Sequence, residues 1–120
     1  MIQNKTRKST ISSSEIICTT MFSQMRGLMF RKKQNLFMIF PKERYVHLHN
    51  FFVFFPLDIL VLDTEMKIVE IKQNFWPFTF WSSTEKGKYL LELAFPAEYN
   101  IGDLLKISST SPKHLIHINV

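Results

Sequence analysis

An acidic residue stands inside the most apolar stretch of the sequence. Asp58 follows Pro56 within residues 51–62, where most other side chains are apolar. Burying a carboxylate costs free energy unless it is paired or hydrogen-bonded. We therefore expect a partner, which is either Arg26 or Arg31 through forked hydrogen bonds, or backbone N–H groups of the turn after Pro56. The first alternative places an acid at the mouth of a pocket, and the second is structural.

Two histidines stand two positions apart, at His47 and His49. On a strand they would share one face, which is the geometry of a His-x-His metal pair. A metal would need a third ligand, from His114 or His117. We favour the interpretation without metal, in which one imidazole is exposed and the other half-buried. His49 could also form an acid/base pair with Asp58, which would make the protein an enzyme.

The single cysteine, Cys18, excludes an intramolecular disulfide and a zinc module with several cysteines. It stands between Ile17 and Thr19, where a small buried apolar side chain is more typical than a nucleophile. Three glycines are too few for a glycine-rich phosphate loop. We expect no cofactor.

Aromatic residues are frequent, with twelve phenylalanines among them. We interpret Trp76, Phe78, Phe80 and Trp81 as part of a phenylalanine-rich core, because aromatic side chains dominate cores generally. The alternative is a stacking platform for single-stranded nucleic acid beside the basic half of the chain. Residues 1–50 carry nine Lys and Arg against two Glu, whereas the remainder carries six against eight acids. The basic half could attract nucleic acid. We keep nucleic acid as a candidate partner, but a weaker one than a small ligand or a protein.

The apolar stretch at residues 51–62 is too short to cross a membrane as a helix, because about 20 apolar residues are needed. It also contains Pro56 and Asp58, and it predicts two buried strands. No apolar run typical of an export signal follows the first basic residues. We therefore expect a cytoplasmic protein without a membrane partner.

The chain has 120 residues, which is typical of one domain. Methionines at helical spacing predict a short helix at residues 20–27, ended by Gly27. Alternation and β-branched runs predict strands at residues 36–40, 45–49, 51–55, 58–62, 66–72, 89–94, 104–107 and 115–118, with one helical turn at 96–100. Short strands at this spacing favour a mainly β domain, an antiparallel sandwich or barrel with one or two short helices. We divide the chain into a polar arm or edge strand at 1–15, a β domain at 16–108, and a strand or tail at 109–120.

Several motifs resemble the domain-of-unknown-function family 192, an uncharacterised family of archaeal and bacterial proteins. Residues 26–31 read RGLMFR, as in that family's opening motif, and residues 49–58 match its H-x-F-F-(V/M)-x-F-P-(I/L)-D segment. Residues 91–93 match its LEL strand and residues 102–103 its GD pair, whereas Phe95-Pro96 replaces the small residue and glycine usual after the strand. The resemblance implies a small, mainly β domain and no established activity.

We expect a non-catalytic module that binds a small anionic ligand or a protein partner. Arg26, Arg31, His49 and Asp58 would form the patch with Trp76 at its rim, through charge-assisted hydrogen bonds and aromatic burial. Gly27, Pro56, Gly102 and Asp103 are expected to be structural. The alternatives are an enzyme using Asp58 and His49, and a weak binder of RNA or single-stranded DNA. Either a monomer or a homodimer fits the sequence.

Overall fold

The computed structural model describes residues 1–19, 32–50 and 53–108, and these ranges form eight strands and no helix. The strands are β1 (Ile2–Asn4), β2 (Ser9–Ser12), β3 (Glu15–Cys18), β4 (Asn35–His49), β5 (Leu57–Leu62), β6 (Ile68–Phe75), β7 (Phe80–Leu93) and β8 (Leu105–Ile107). The helix expected at 20–27 with Gly27, and the strand expected at 115–118, lie outside the described residues.

The strands form two sheets. The three-stranded sheet has the order β2-β1-β8, and the five-stranded sheet has the order β3-β4-β7-β5-β6. All neighbours are antiparallel except β3 and β4, which run parallel. The prediction of a small, mainly β domain is therefore confirmed, and the larger sheet is mixed rather than a closed barrel.

The five-stranded sheet has an apolar core on each face. One core lies between the two sheets and joins Ile2 and Ile11 of the smaller sheet to Phe37, Leu60 and Leu91 of the larger one. We call the other the inner core. It contains Ile16, Cys18, Leu36, Met38, Phe40, Val46, Val53, Leu57, Ile59, Val61, Phe75, Leu90 and Ala94. The alternation of strand side chains assigns neighbouring residues of β4, β5 and β7 to opposite cores.

Strands β4 and β7 form a long antiparallel ribbon that changes register after Ile39 and again after Tyr45. We call residues 44–49 with residues 80–87 the β4–β7 ribbon. Gly87 is required near the first register change, because a Cβ there would overlap the side chain of Val61. The backbone N–H groups of Thr84 and Glu85 donate to Glu70 of β6, so side-chain hydrogen bonds join the ribbon to β6.

Two local predictions are wrong. Of the strand expected at residues 51–55, residues 53–55 form no strand and Phe54 is exposed rather than buried, while residues 51–52 lie outside the described ranges. Residues 96–100 form no helical turn; they run as irregular chain to Gly102, whose φ of 91° favours glycine. At the first of these places Pro56 lacks the backbone N–H that a strand continuing into β5 would need.

Within the part of the chain that the structure describes, no helix has the length and hydrophobicity needed to cross a bilayer.

Candidate functional site

Four exposed aromatic side chains lie at one end of the five-stranded sheet. Trp76 and Phe78 lie in the turn between β6 and β7, Phe80 begins β7, and Phe54 precedes β5. Their exposed fractions run from 58% for Trp76 to 73% for Phe80. The register places them together, because Leu57 opposes Phe75 and His49 opposes Phe80. We call Phe54, Trp76, Phe78 and Phe80 the aromatic end.

The prediction that these aromatic residues belong to the core is therefore wrong for Trp76, Phe78 and Phe80. Trp81 is half-buried and packs against the inner core. The difference follows from the turn at residues 76–79, because it ends the alternation that would direct these rings inward. Phe78 has a φ of 63°, which is uncommon for a residue with a bulky side chain.

Asn50 holds the aromatic turn in place. Its buried side-chain amide donates to the carbonyl of Phe75 at 2.9 Å. Its backbone N–H donates to the carbonyl of Thr79 at 2.9 Å, and its carbonyl accepts the N–H of Phe78 at 2.8 Å. The sequence analysis did not select Asn50, although a polar residue between His49 and the phenylalanine run was a visible signal. The exposed rings are thus presented by a fixed backbone.

Asp58 is half-buried at the start of β5. Its Oδ1 accepts the backbone N–H of Asn74 at 3.0 Å, and its Oδ2 accepts the hydroxyl of Tyr99 at 2.5 Å. Burial and the hydrogen bond to Asp58 raise the pKa of Tyr99 to about 12. The expected backbone partner is present, but it lies on the neighbouring strand β6 rather than in the turn after Pro56. Arg26 and Arg31 lie outside the described residues.

The two histidines occupy the exposed face of the β4–β7 ribbon. His47 Nδ1 lies 2.9 Å from the hydroxyl of Ser82, and His49 opposes Phe80. Neither hydrogen bond found for Asp58 involves His49, so the geometry gives no direct support to an acid/base pair. Within residues 1–19, 32–50 and 53–108, no group of three metal-ligating side chains is found. His114 and His117 lie outside these ranges.

A shallow groove of about 560 Å³ runs beside His47. It is lined by Pro41, Lys42, Glu43, Arg44, Tyr45 and His47. The Lys86 ammonium lies 5.5 Å from the centre of the Tyr45 ring. The ribbon therefore presents cations and rings together, next to the aromatic end.

Asp103 lies in a set of hydrogen bonds that joins the two sheets. Its Oδ2 accepts from Asn4 at 2.8 Å, from Arg7 at 2.9 Å and from the Asn100 N–H at 2.9 Å. Burial acts to raise the pKa of Asp103, but these donors together lower it below its ordinary value. Gly102 forms the turn just before it, and its N–H donates to the carbonyl of Ile68. This arrangement supports structural roles for both residues.

The sequence analysis missed Glu92, the acid of the LEL motif. It lies on β7, is only 6% exposed, and its Oε2 has no hydrogen-bond partner among the described residues. Burial raises the pKa of Glu92 to about 7. Such a shift is typical of functional sites, though structural positions also produce it. The signal was an acid inside the apolar run at residues 90–94.

The structure also shows where the remaining predicted residues lie. The structure brings His49, Asp58 and Trp76 to the same end of the five-stranded sheet, with Pro56 exposed beside them. Cys18 is fully buried in the inner core, as expected for a small apolar side chain.

The fold is shared with two crystal structures. One is a suggested transcription regulator from Sinorhizobium meliloti 1021, with a TM-score of 0.68 and 24% identity, covering 76% of this chain and 79% of that protein. The other is a protein of unknown function from Novosphingobium aromaticivorans DSM 12444, with a TM-score of 0.69 and 18% identity, covering 78% and 74%. At these identities the likeness shows the fold alone.

Sequence comparison identifies the family. A UPF0127 protein of Thermococcus sibiricus is 29% identical over 96 residues, which are 77% of this chain and 62% of that relative. This chain therefore spans less than two thirds of the relative's length. The model of the family DUF192, described as uncharacterized ACR, matches residues 2–101. Because that match covers most of the sequence, the chain belongs to the DUF192 family.

Proposed function

We propose that the protein is a non-catalytic binding module and that the aromatic end holds a small anionic ligand with an apolar body. One observation carries this proposal, namely that four large rings are exposed together at one end of a rigid sheet. Exposed apolar patches on this scale are typical of binding surfaces. A protein partner is the alternative occupant of the same surface.

The surroundings of the aromatic end favour an anion over a neutral ligand. His49 lies directly across the ribbon from Phe80, and His47 follows on the same face. A protonated imidazole can give a charge-assisted hydrogen bond, while the rings bury the apolar part of the ligand. Asn50 fixes the turn beforehand, so little ordering of the backbone is needed on binding.

The dye 1-anilinonaphthalene-8-sulfonate is a suitable probe, because it combines a sulfonate with an aromatic body. We expect saturable binding of one dye per chain, measured by its fluorescence. Trp76→Ser and Phe80→Ser should each weaken it about tenfold, since each removes a large contact surface. Ile101→Ser is the matched control, because Ile101 is 59% exposed but lies near the other end of β6.

Unchanged affinity in Trp76→Ser and Phe80→Ser would contradict the proposal. Equal weakening by Ile101→Ser would also contradict it, because the dye would then report general surface hydrophobicity. A dye that binds many sites without saturation leads to the same conclusion.

Single-stranded nucleic acid is a second candidate ligand, favoured by the ribbon face. Tyr45, Lys86 and His47 lie together there beside the groove, and the Sinorhizobium relative is a suggested transcription regulator. Binding of a short labelled oligothymidylate, followed by fluorescence anisotropy, should weaken steeply with salt. Lys86→Ala should reduce the salt slope by about one. No binding at low salt would exclude this candidate.

A further inference from the structure

The outer face of the three-stranded sheet carries a row of polar side chains. Gln3 of β1 lies directly across from Thr10 of β2 on one side and from Lys106 of β8 on the other. All three residues are exposed, whereas their strand neighbours Ile2 and Leu105 are buried in the core between the two sheets. Because strand side chains alternate between faces, this row points to solvent.

A groove of about 500 Å³ opens beside this row, and we call it the hairpin groove. Its lining residues all come from β1, β2 and the turn between them, and they are Gln3, Asn4, Lys5, Lys8, Ser9 and Thr10. Two of them are lysines and none is acidic. The volume falls in the range of small-molecule sites, about 300 to 1,000 Å³.

Lys5, Lys8 and Lys106 have no acidic partner among the described residues. The carboxylate that reaches this hairpin, Asp103, already pairs with Arg7 at 2.9 Å. The three lysines are exposed, so the outer face of the sheet carries positive charge that no acid of the described ranges offsets.

The turn that carries Lys5 and Lys8 is held by the surrounding structure. Asn4 Oδ1 accepts the N–H of Arg7 at 3.1 Å, and the N–H of Lys5 donates to the carbonyl of Leu104 at 2.8 Å. Lys8 has a φ of 55°, which is uncommon for a residue other than glycine. Such backbone persists only where its surroundings fix it, and it is frequent at ligand sites. The lysines are therefore placed in advance, which lowers the cost of binding.

We propose that the hairpin groove, together with Lys106, binds the phosphate chain of a small triphosphate ligand. Ammonium groups bind phosphate oxygens by charge-assisted hydrogen bonds, and Thr10 and Gln3 supply neutral donors between them. Lys8 immediately precedes β2, and β1 separates β2 from β8. Cations on the two outer strands are thus two strand spacings apart, about 10 Å. This separation favours a chain of phosphates over a single one.

The site lies on a different sheet from the aromatic end, and it does not depend on the function proposed there.

Inorganic tripolyphosphate is the probe, and orthophosphate is the matched compound with one phosphate. Both are titrated into the full chain by isothermal calorimetry at pH 8 and the same low ionic strength, because salt screens exposed charges. We expect saturable binding of one tripolyphosphate per chain. Orthophosphate should bind at least about tenfold more weakly, since it cannot contact the lysines on both sides of β1.

The variants separate a built site from general attraction by net charge. Lys5→Gln/Lys8→Gln should weaken tripolyphosphate binding about tenfold or more, because it removes both cations of the groove. Lys72→Gln/Lys86→Gln is the control of equal charge change, since these lysines lie on β6 and β7 of the other sheet. It should alter the affinity by less than about twofold. Lys106→Gln should weaken binding about threefold.

Three results would overturn the proposal. In the first, tripolyphosphate shows no saturable binding at low ionic strength. In the second, the two double variants weaken binding equally, so that net charge alone attracts the anion. In the third, orthophosphate binds as tightly as tripolyphosphate. Dye binding at the aromatic end should be unaffected by Lys5→Gln/Lys8→Gln, so the two proposals fail independently.

Discussion

Asp103 and Glu92 are both buried carboxylates, but their surroundings are opposite. Three donors converge on Asp103 and lower its pKa, whereas the described residues give Glu92 Oε2 no donor and burial raises its pKa to about 7. The comparison shows that burial alone does not reveal what an acid does. A carboxylate that accepts several hydrogen bonds joins elements of the fold, whereas a buried acid without such donors retains the cost of its burial and titrates at a higher pH.

The largest effect is expected at Asp103. Asp103→Ala should lower the free energy of unfolding by about 3 kcal/mol, because it leaves Asn4, Arg7 and the Asn100 N–H without their acceptor. Urea denaturation at pH 7 measures this loss. The pKa of Asp103 is lowered on folding, so its contribution is complete above the unfolded value of 3.8 and is lost as the pH falls through the folded value.

Arg7→Gln is the control for Asp103, because it removes the half-exposed ion pair and leaves the other donors in place. We expect it to cost less than about 1 kcal/mol. If Asp103→Ala lowered the free energy of unfolding no more than Arg7→Gln does, the contrast between the two carboxylates would be wrong.

A smaller effect of opposite sign is expected for Glu92→Gln. Because the pKa of Glu92 rises from 4.5 to about 7 on folding, the wild type loses stability as the pH increases between these values. The variant should therefore be more stable than the wild type at pH 8, by about 2–3 kcal/mol. The difference should disappear near pH 4.5. Denaturation curves across this range measure the difference in stability. A variant less stable than the wild type at pH 8 would contradict a raised pKa for Glu92.

Asp58 accepts two hydrogen bonds, and its substitution should have the smallest effect among the three acids. Asp58→Asn should cost slightly more than 1 kcal/mol, because the amide has only one acceptor oxygen and cannot accept both the Asn74 N–H and the Tyr99 hydroxyl. Tyr99→Phe removes one of the two hydrogen bonds and should cost about half as much. Equal denaturation midpoints for Asp58→Asn and the wild type would refute this prediction.

Much of the fold follows from local patterns in the sequence. The runs at residues 36–40 and 58–62 lie in strands, as do residues 89–93 of the run at 89–94, because alternation and β-branched residues direct side chains into two cores. The turn at residues 63–65 has a local cause as well, because Asp63 accepts the N–H groups of Glu65 and Lys67. Asx turns of this kind are local, so one residue specifies them.

Other features depend on contacts between distant residues, and local patterns cannot show them. Strand β4 continues through Pro41 because a register change there removes the need for its N–H. The parallel pairing of β3 with β4 has no local signature.

The same distinction between local patterns and distant contacts applies to the candidate site. Asp58 was recognisable because an acid in an apolar run needs a partner. Glu92 obeys the same rule, but the short LEL motif around it predicts only a strand. Exposure of Phe80 could not be anticipated, because it follows from the turn that Asn50 holds.

A titration of the Glu92 side-chain carboxyl by nuclear magnetic resonance tests the central claim most directly. The claim is that this acid is buried on the inner-core face of β7 and that its Oε2 receives no donor from the described residues. We expect a midpoint of about pH 7, because burial raises the pKa of Glu92. A midpoint at or below 4.5 in the free protein would show that Glu92 is already paired, and would contradict the account.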